Sequence, residues 1–306
     1  MIVRPREKWF RMLFVWHGSV LATILPRLVI LLVFSILIYQ NHGRIFDYKI
    51  SLNPTAFTLV GIALAIFLGF CNTAAYDRFW EARILWGNLL NDSRSIVRQA
   101  SSFVAPRDRD GDLSQFVRMV TAFAFAIKHQ LRETDPTEDL KRLLPAELAN
   151  RLVGKKFIPP LLLNELGAWL AAKAEAGTID SITKMGIDNN LNKLSDSLGG
   201  CERIANTPIP YPYHVLLHRT VYIYCFLLPF GLVDTIGWMT PVIVTFIGYT
   251  FIALDAIVAE ISDPFGTEPN DLALDQICHT IEDSLAELGG LPIPERPAAV
   301  DGYYAN

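Results

Sequence analysis

Charge is scarce in this chain, and it is unevenly spread. Charged residues make up 19% of the 306 positions against 51% hydrophobic ones, and long stretches carry no charge at all. The net charge is −4 and no basic stripe appears, which excludes nucleic acid as a partner. Only four cysteines occur, Cys71, Cys201, Cys225 and Cys278, with no CxxC pair among them. That spacing supports neither a disulfide framework nor a zinc knuckle, so they are expected to be reduced, buried thiols. There is no Gly-rich phosphate loop, no GxSxG and no convincing catalytic pair, so neither an enzyme nor a cofactor is expected. Internal repeats, which a secondary transporter would favour, are absent. Alternation of period two persists nowhere, and the fold class expected is all-α.

What the chain has instead is apolar length. Val20 to Tyr39 is nearly continuous, interrupted by Pro26 and Arg27. Pro54 to Cys71 and Thr235 to Leu254 carry no charge, and Thr220 to Val233 is apolar but short. A helix needs about 20 apolar residues to cross the hydrocarbon core. The second and fourth stretches fit, the first fits if Arg27 snorkels, and the third needs Val215 to Leu217. Arg4, Arg6, Lys8 and Arg11 precede the first stretch, which predicts a cytoplasmic N-terminus. The connector Gln40 to Asn53 carries only Arg44 and Lys49, whereas Asn72 to Arg219 holds most of the remaining basic residues. Four crossings then return the C-terminus to the cytoplasm. No small-residue cleavage site follows the first stretch, so it is not a signal peptide. The expected order is a cytoplasmic segment 1–19, two membrane helices in 20–75, a helical cytoplasmic region 76–211, two more membrane helices in 212–259 and a cytoplasmic segment 260–306. The expected location is the plasma (inner) membrane.

Within the cytoplasmic region, Tyr76 to Phe103 is expected to be one long helix. Leu113 to Glu133 is another, with an apolar face at Phe116, Val120, Phe123 and Ile127. Ala105 to Gly111 is the turn between them. Further helices are expected over Pro136 to Leu152, Pro159 to Ala176 and Ser181 to Leu198, punctuated by Gly177 and Gly199-Gly200. The tail after Gly289, with Pro292, Pro294 and Pro297, is expected to be extended.

Three motifs lie in register with the spans. Tyr76-Asp77-Arg78-Phe79-Trp80-Glu81-Ala82-Arg83 directly follows the second. Ile209-Pro210-Tyr211-Pro212 precedes the third. Asp263-Pro264-Phe265-Gly266 follows the fourth, with Asn270-Asp271-Leu272 after it. Together they resemble the bestrophin family of ion channels, in its prokaryotic branch. The resemblance implies a homopentamer with one central pore, lined in the membrane by the second helix. Without it, Tyr76, Phe79, Trp80 and Arg83 recur at helical spacing as one packed face or an interfacial belt. Asp77, Arg78, Glu81 and Arg83 can form charge pairs.

On the second span Ile62, Ile66 and Phe70 form a slightly slanted stripe, and Gly61, Ala65 and Gly69 form a small-residue face that permits close helix contact. The plainer reading is a lipid-facing stripe; the resemblance makes these three the apolar pore neck. Family members that favour anions usually place aromatic residues at the positions of both Ile66 and Phe70, and aromatic edges are positive. Ile66 supplies no such edge, so the expectation is a channel for monovalent ions with a weak preference for Na⁺ and K⁺, anion selectivity being the alternative. Gly177 to Ile182 resembles the family's cytosolic aperture, with Ile179 or Ile182 facing the pore, or both as ordinary core residues. Glu260, Asp263, Glu268 and Asp271 flank the segment where animal members bind calcium, but Pro269 and Asn270 stand where acids would be. A helix-end turn held by Asp263 is expected there. His214 and His218 have zinc-compatible spacing without a third ligand, so packing is expected and no metal. Membrane lipids are the remaining partner, and a transporter or a membrane scaffold are the competing classes.

Overall fold

The computed structural model describes residues 9–12, 15, 18–45, 48–50, 52–104 and 112–296. The basic N-terminal residues, the Ala105–Gly111 turn and the end of the proline-bearing tail lie outside the described residues or have side chains that do. Elements run in the order α1 (Trp9–Met12), α2 (Leu21–Gln40), β1 (Arg44–Ile45), β2 (Tyr48–Lys49), α3 (Pro54–Gln99), α4 (Leu113–Arg132), α5 (Thr137–Leu143), α6 (Ala146–Leu152), α7 (Ile158–Glu175), α8 (Ser181–Asn206), α9 (Tyr211–Ile236), α10 (Thr240–Ile261) and α11 (Leu274–Gly289). The all-α expectation holds, with one addition: β1 and β2 form a minimal antiparallel pair, Arg44 opposite Lys49 and Ile45 opposite Tyr48. Two residues per strand are too few for period-two alternation to be legible.

Among the described residues, chain contacts separate two compact units, one built on residues 9–79 with Pro208–Pro264, the other on Trp80–Thr207 with residues 265–296. In the first, α2, α9 and α10 pack on one another. Ile24, Leu28 and Leu31 of α2, Leu64 and Leu68 of α3, Leu217, Val221 and Leu228 of α9, and Val244 and Ile252 of α10 share one core. Among the described residues, three helices are long and apolar enough to cross a membrane: Leu21–Gln40, Pro54–Val104 and Tyr211–Ile261. The last contains α9 and α10, joined by a single 3₁₀ turn, Gly237–Met239. Gly237 there has φ +56°, a backbone state that disfavours other side chains. The short third stretch of the sequence is lengthened in α9 at both ends, to Tyr211 and Ile236. Lys49 pairs with Asp234 at 2.9 Å, tying the β1–β2 pair to the end of α9.

The second unit is organised around α4. From Thr121 to Lys128 every residue is buried, so the helix has no solvent face over two turns. The sequence pattern suggested one apolar face; Ala122, Ala124 and Ala126 complete the other, as expected of a helix enclosed by neighbours. Helices α7 and α11 pack on it, and α8 packs on α7. The helix expected over Pro136–Leu152 is two, α5 and α6, because Pro145 cannot continue the first. Gly199-Gly200 does not end α8, which continues to Asn206. A Cβ at Gly200 would lie 2.7 Å from the Leu85 side chain, so this glycine serves close packing of α8 on α3.

Charge is concentrated where α4, α5 and α11 meet. Lys128, with only 8% of its side chain exposed, lies 2.9 Å from Asp275 and 3.5 Å from Asp139. His129 Nε2 lies 3.0 Å from Asp139, and Arg132 donates to Asp275. Arg142 bonds Glu282 and Asp139, and Arg296 reaches Glu282 at 2.6 Å and Asp283 at 2.7 Å. The tail expected to be extended is therefore tied to its own α11 at Arg296. Burial by itself raises the Asp139 carboxyl, but hydrogen bonds from His129 and Arg142 and the Lys128 charge outweigh it and hold the group at about 2. Asp275 is likewise lowered, because bonds and charges from Lys128 and Arg132 exceed its burial penalty.

Candidate functional site

Helix α3 runs without a break through the second apolar stretch and the helix expected after it. After Pro54 no proline interrupts its 46 residues, and a π-helical turn, Ala100–Val104, closes it. One stripe is buried throughout: Leu64, Leu68, Ala75, Ala82, Trp86, Leu89, Ser93 and Ile96. Their spacing of three, four or seven residues is that of one helix face. Ile62 and Ile66 precede Leu64 and Leu68 by two residues, about 200° around the helix. They lie opposite the chain's own core.

The exposures agree. Ile62 is 55% exposed, Ile66 53% and Phe70 68%, while Leu64 is 3% and Leu68 1%. The three proposed neck residues are thus brought together on one face, each more than half exposed among the described residues. Leu59 and Phe67 are also exposed, so exposure by itself does not single out the stripe. The small-residue face is used at one end only. A Cβ at Gly61 would fall 2.9 Å from the Tyr224 hydroxyl of α9, whereas one at Gly69 would meet nothing within 4 Å.

The two isoleucines near the start of α8 separate cleanly. Gly177 turns the chain with φ +71°. The Asp180 carboxylate then accepts from the Thr183 backbone N–H at 2.7 Å, an N-cap that fixes the first turn. Ile179, before the cap, is 5% exposed and belongs to the core; Ile182, just after it, is 75% exposed. Only Ile182 presents its side chain outside the chain.

In the signature run only Ala82 is buried, with Arg78 and Phe79 half-buried, and Ala75 just before it is buried as well. Tyr76 and Trp80 are more than half exposed, the degree of exposure an interfacial belt would need. Glu81 pairs with Arg203 of α8, and Arg78 Nε donates to the Ser262 carbonyl at 3.2 Å.

After α10, Pro264 and Phe265 are buried and Asp263 is exposed. The turn is not held by Asp263 as expected. Asp271, 2% exposed, accepts the Glu268 backbone N–H at 2.7 Å and closes the turn itself. Arg132 Nε adds a bond to the Phe265 carbonyl at 3.2 Å. Sequence spacing alone could not choose between two acids eight positions apart.

One buried group escaped the sequence analysis. Asp255 of α10 is 5% exposed, and His218 Nδ1 lies 2.8 Å from its carboxylate. His218 therefore has a specific partner where general packing was expected. The available signal was an acid six residues inside the end of an apolar helix, where ionisable groups are costly and seldom idle.

None of the four thiols is paired. Burial pushes Cys201 up to about 12 and raises Cys278, so both stay protonated at neutral pH and are poor nucleophiles.

Comparison with known proteins gives a consistent result. A family model described as bacterial/fungal bestrophin protein matches residues 1–287. A voltage-dependent anion channel-forming protein of Ralstonia nicotianae is 47% identical over 292 residues, 95% of each chain. A protein of the same description from Escherichia coli K12 is 42% identical, over 94% of each chain. The crystal structure of a bacterial bestrophin homologue from Klebsiella pneumoniae superposes with a TM-score of 0.81 at 42% identity, covering 88% of this chain and 99% of that one. This chain belongs to the bacterial and fungal bestrophin family.

Proposed function

We propose that the chain is a membrane ion channel that assembles as a homopentamer and passes monovalent ions through a central pore, with a weak preference for Na⁺ and K⁺. Its neck is Ile62, Ile66 and Phe70, and Ile182 forms a second constriction. Both termini are cytoplasmic. The single observation that carries this reading is the exposed stripe set opposite the buried face of α3. Copies of α3 around an axis would turn that stripe inward as an apolar ring. Such a ring conducts while it is wide and wet, so it gates well and filters charge poorly. Ile66 offers a passing anion no positive edge, and the acidic excess of the chain favours cations near its mouth. A second reading, anion conduction, is favoured by the names of the Ralstonia and Escherichia relatives and by the ring retained at Phe70.

Ion flux into liposomes tests the neck. Alanine at Ile62, Ile66 or Phe70 widens and wets the ring, so each variant is expected to pass ions faster than wild type. Flux that saturates at modest ion concentration would instead indicate a transporter, and no flux at all a scaffold. Unchanged flux in all three variants, with pentameric mass confirmed in detergent, would place the stripe against lipid.

A further inference from the structure

Arg27 is the only charged residue in α2, and it lies six residues past Leu21, about 9 Å along the helix axis. A guanidinium inside an apolar span is costly unless its charge is met. Its one hydrogen bond among the described residues runs from Nη1 to the Tyr222 hydroxyl of α9, at 3.0 Å. Tyr222 is neutral. The nearby acid, Asp255, is buried and engaged by His218, and no carboxylate among the described residues forms an ion pair with Arg27. The guanidinium is exposed, with N–H donors still open.

The surroundings are polar and amphipathic. The His218 ring lies 4.5 Å from that of Tyr222, and His214 stacks on His218 at 6.1 Å. Arg219, one turn from Tyr222, is exposed. Val29 and Ile30 of α2 and Ile223 of α9 are exposed apolar residues on the same two helices, ready to face acyl chains. We infer that Arg27 and Tyr222 hold the phosphate of an anionic phospholipid seated where α2 meets α9. The planar guanidinium suits two phosphate oxygens at once, and the tyrosine oxygen that accepts from Arg27 leaves its own O–H free to donate to a third. The apolar flanks select a lipid over free phosphate, and the exposed Arg219 favours a net negative headgroup.

Delipidated oligomer in detergent, titrated with phosphatidylglycerol or phosphatidylcholine and followed by native mass spectrometry, tests this directly. Wild type is expected to bind phosphatidylglycerol more tightly than phosphatidylcholine. Arg27→Gln is expected to weaken phosphatidylglycerol about five-fold, the effect of one basic residue at a charged membrane surface, and to leave phosphatidylcholine nearly unchanged. Tyr222→Phe, which retains the ring and its packing, is expected to weaken phosphatidylglycerol to a smaller extent. Equal phosphatidylglycerol affinity in wild type and either folded variant overturns the site. Full displacement of the lipid by millimolar inorganic phosphate overturns the lipid as its ligand.

Discussion

Phenylalanine in place of Ile66 is expected to turn the conductance toward anions. Ile66 sits between Ile62 and Phe70 on the exposed face of α3, with 53% of its surface exposed. A larger ring there meets no packing penalty inside the chain, so fold and oligomer are expected to survive. The new ring brings a positive edge to a position that has none. In the proposed pentamer five such edges act on one ion at the narrowest point. A change of about 1.4 kcal/mol in the difference between the Na⁺ and Cl⁻ barriers alters their permeability ratio about tenfold, a small demand on five edges. Reversal potentials in asymmetric NaCl read the ratio. An unchanged ratio in a folded Ile66→Phe channel would remove Ile66 from the selectivity-determining position.

Removing the carboxylate of Asp275 is expected to cost the unit built around α4 more than any surface substitution. Lys128 and Arg132, with 8% and 10% of their side chains exposed, both depend on it. Deleting one partner of a buried pair leaves a charge uncompensated, at about 3–5 kcal/mol. Asp275 itself is 31% exposed and Lys128 retains Asp139 at 3.5 Å, which favours the lower end. About 3 kcal/mol corresponds to roughly 6–12 °C in Tm for a unit of this size. Thermal melts of Asp275→Ala by circular dichroism measure it, and a shift within 1 °C of wild type would mean the network contributes nothing. The same network sets the acid limit. Asp139 and Asp275 both have folded-state values below the ordinary carboxylate range, so their contribution is complete above about pH 4. It is lost as the pH falls through the folded values, down to about 2 for Asp139. The Asp275→Ala protein is therefore expected to melt with less dependence on pH between 4 and 2 than wild type.

The apolar runs and the three motifs carried most of the fold, because membrane crossing and helix punctuation are local properties. The helical spacing of Ile62, Ile66 and Phe70 was legible for the same reason. Which side of that helix meets the core was not, since Leu64 and Leu68 are as apolar as Ile66. The core that α3 shares with α2, α9 and α10 decides it. Ile179 and Ile182 look alike in sequence, and the Asp180 cap between them separates core from surface. Gly199-Gly200 resembles a stop, yet continues α8, because the missing Cβ admits Leu85 and not because the chain turns. The pairs His218–Asp255 and Lys128–Asp275 join residues 37 and 147 positions apart. Nothing in local spacing announces either.

Single-channel recording of the purified wild-type protein in a planar bilayer under a NaCl gradient goes furthest. Discrete unitary currents are expected, with a reversal potential displaced toward that of Na⁺. Folded, reconstituted oligomer that shows no unitary current under any applied voltage would contradict a pore through this assembly, and reversal at the chloride potential would contradict its cation preference.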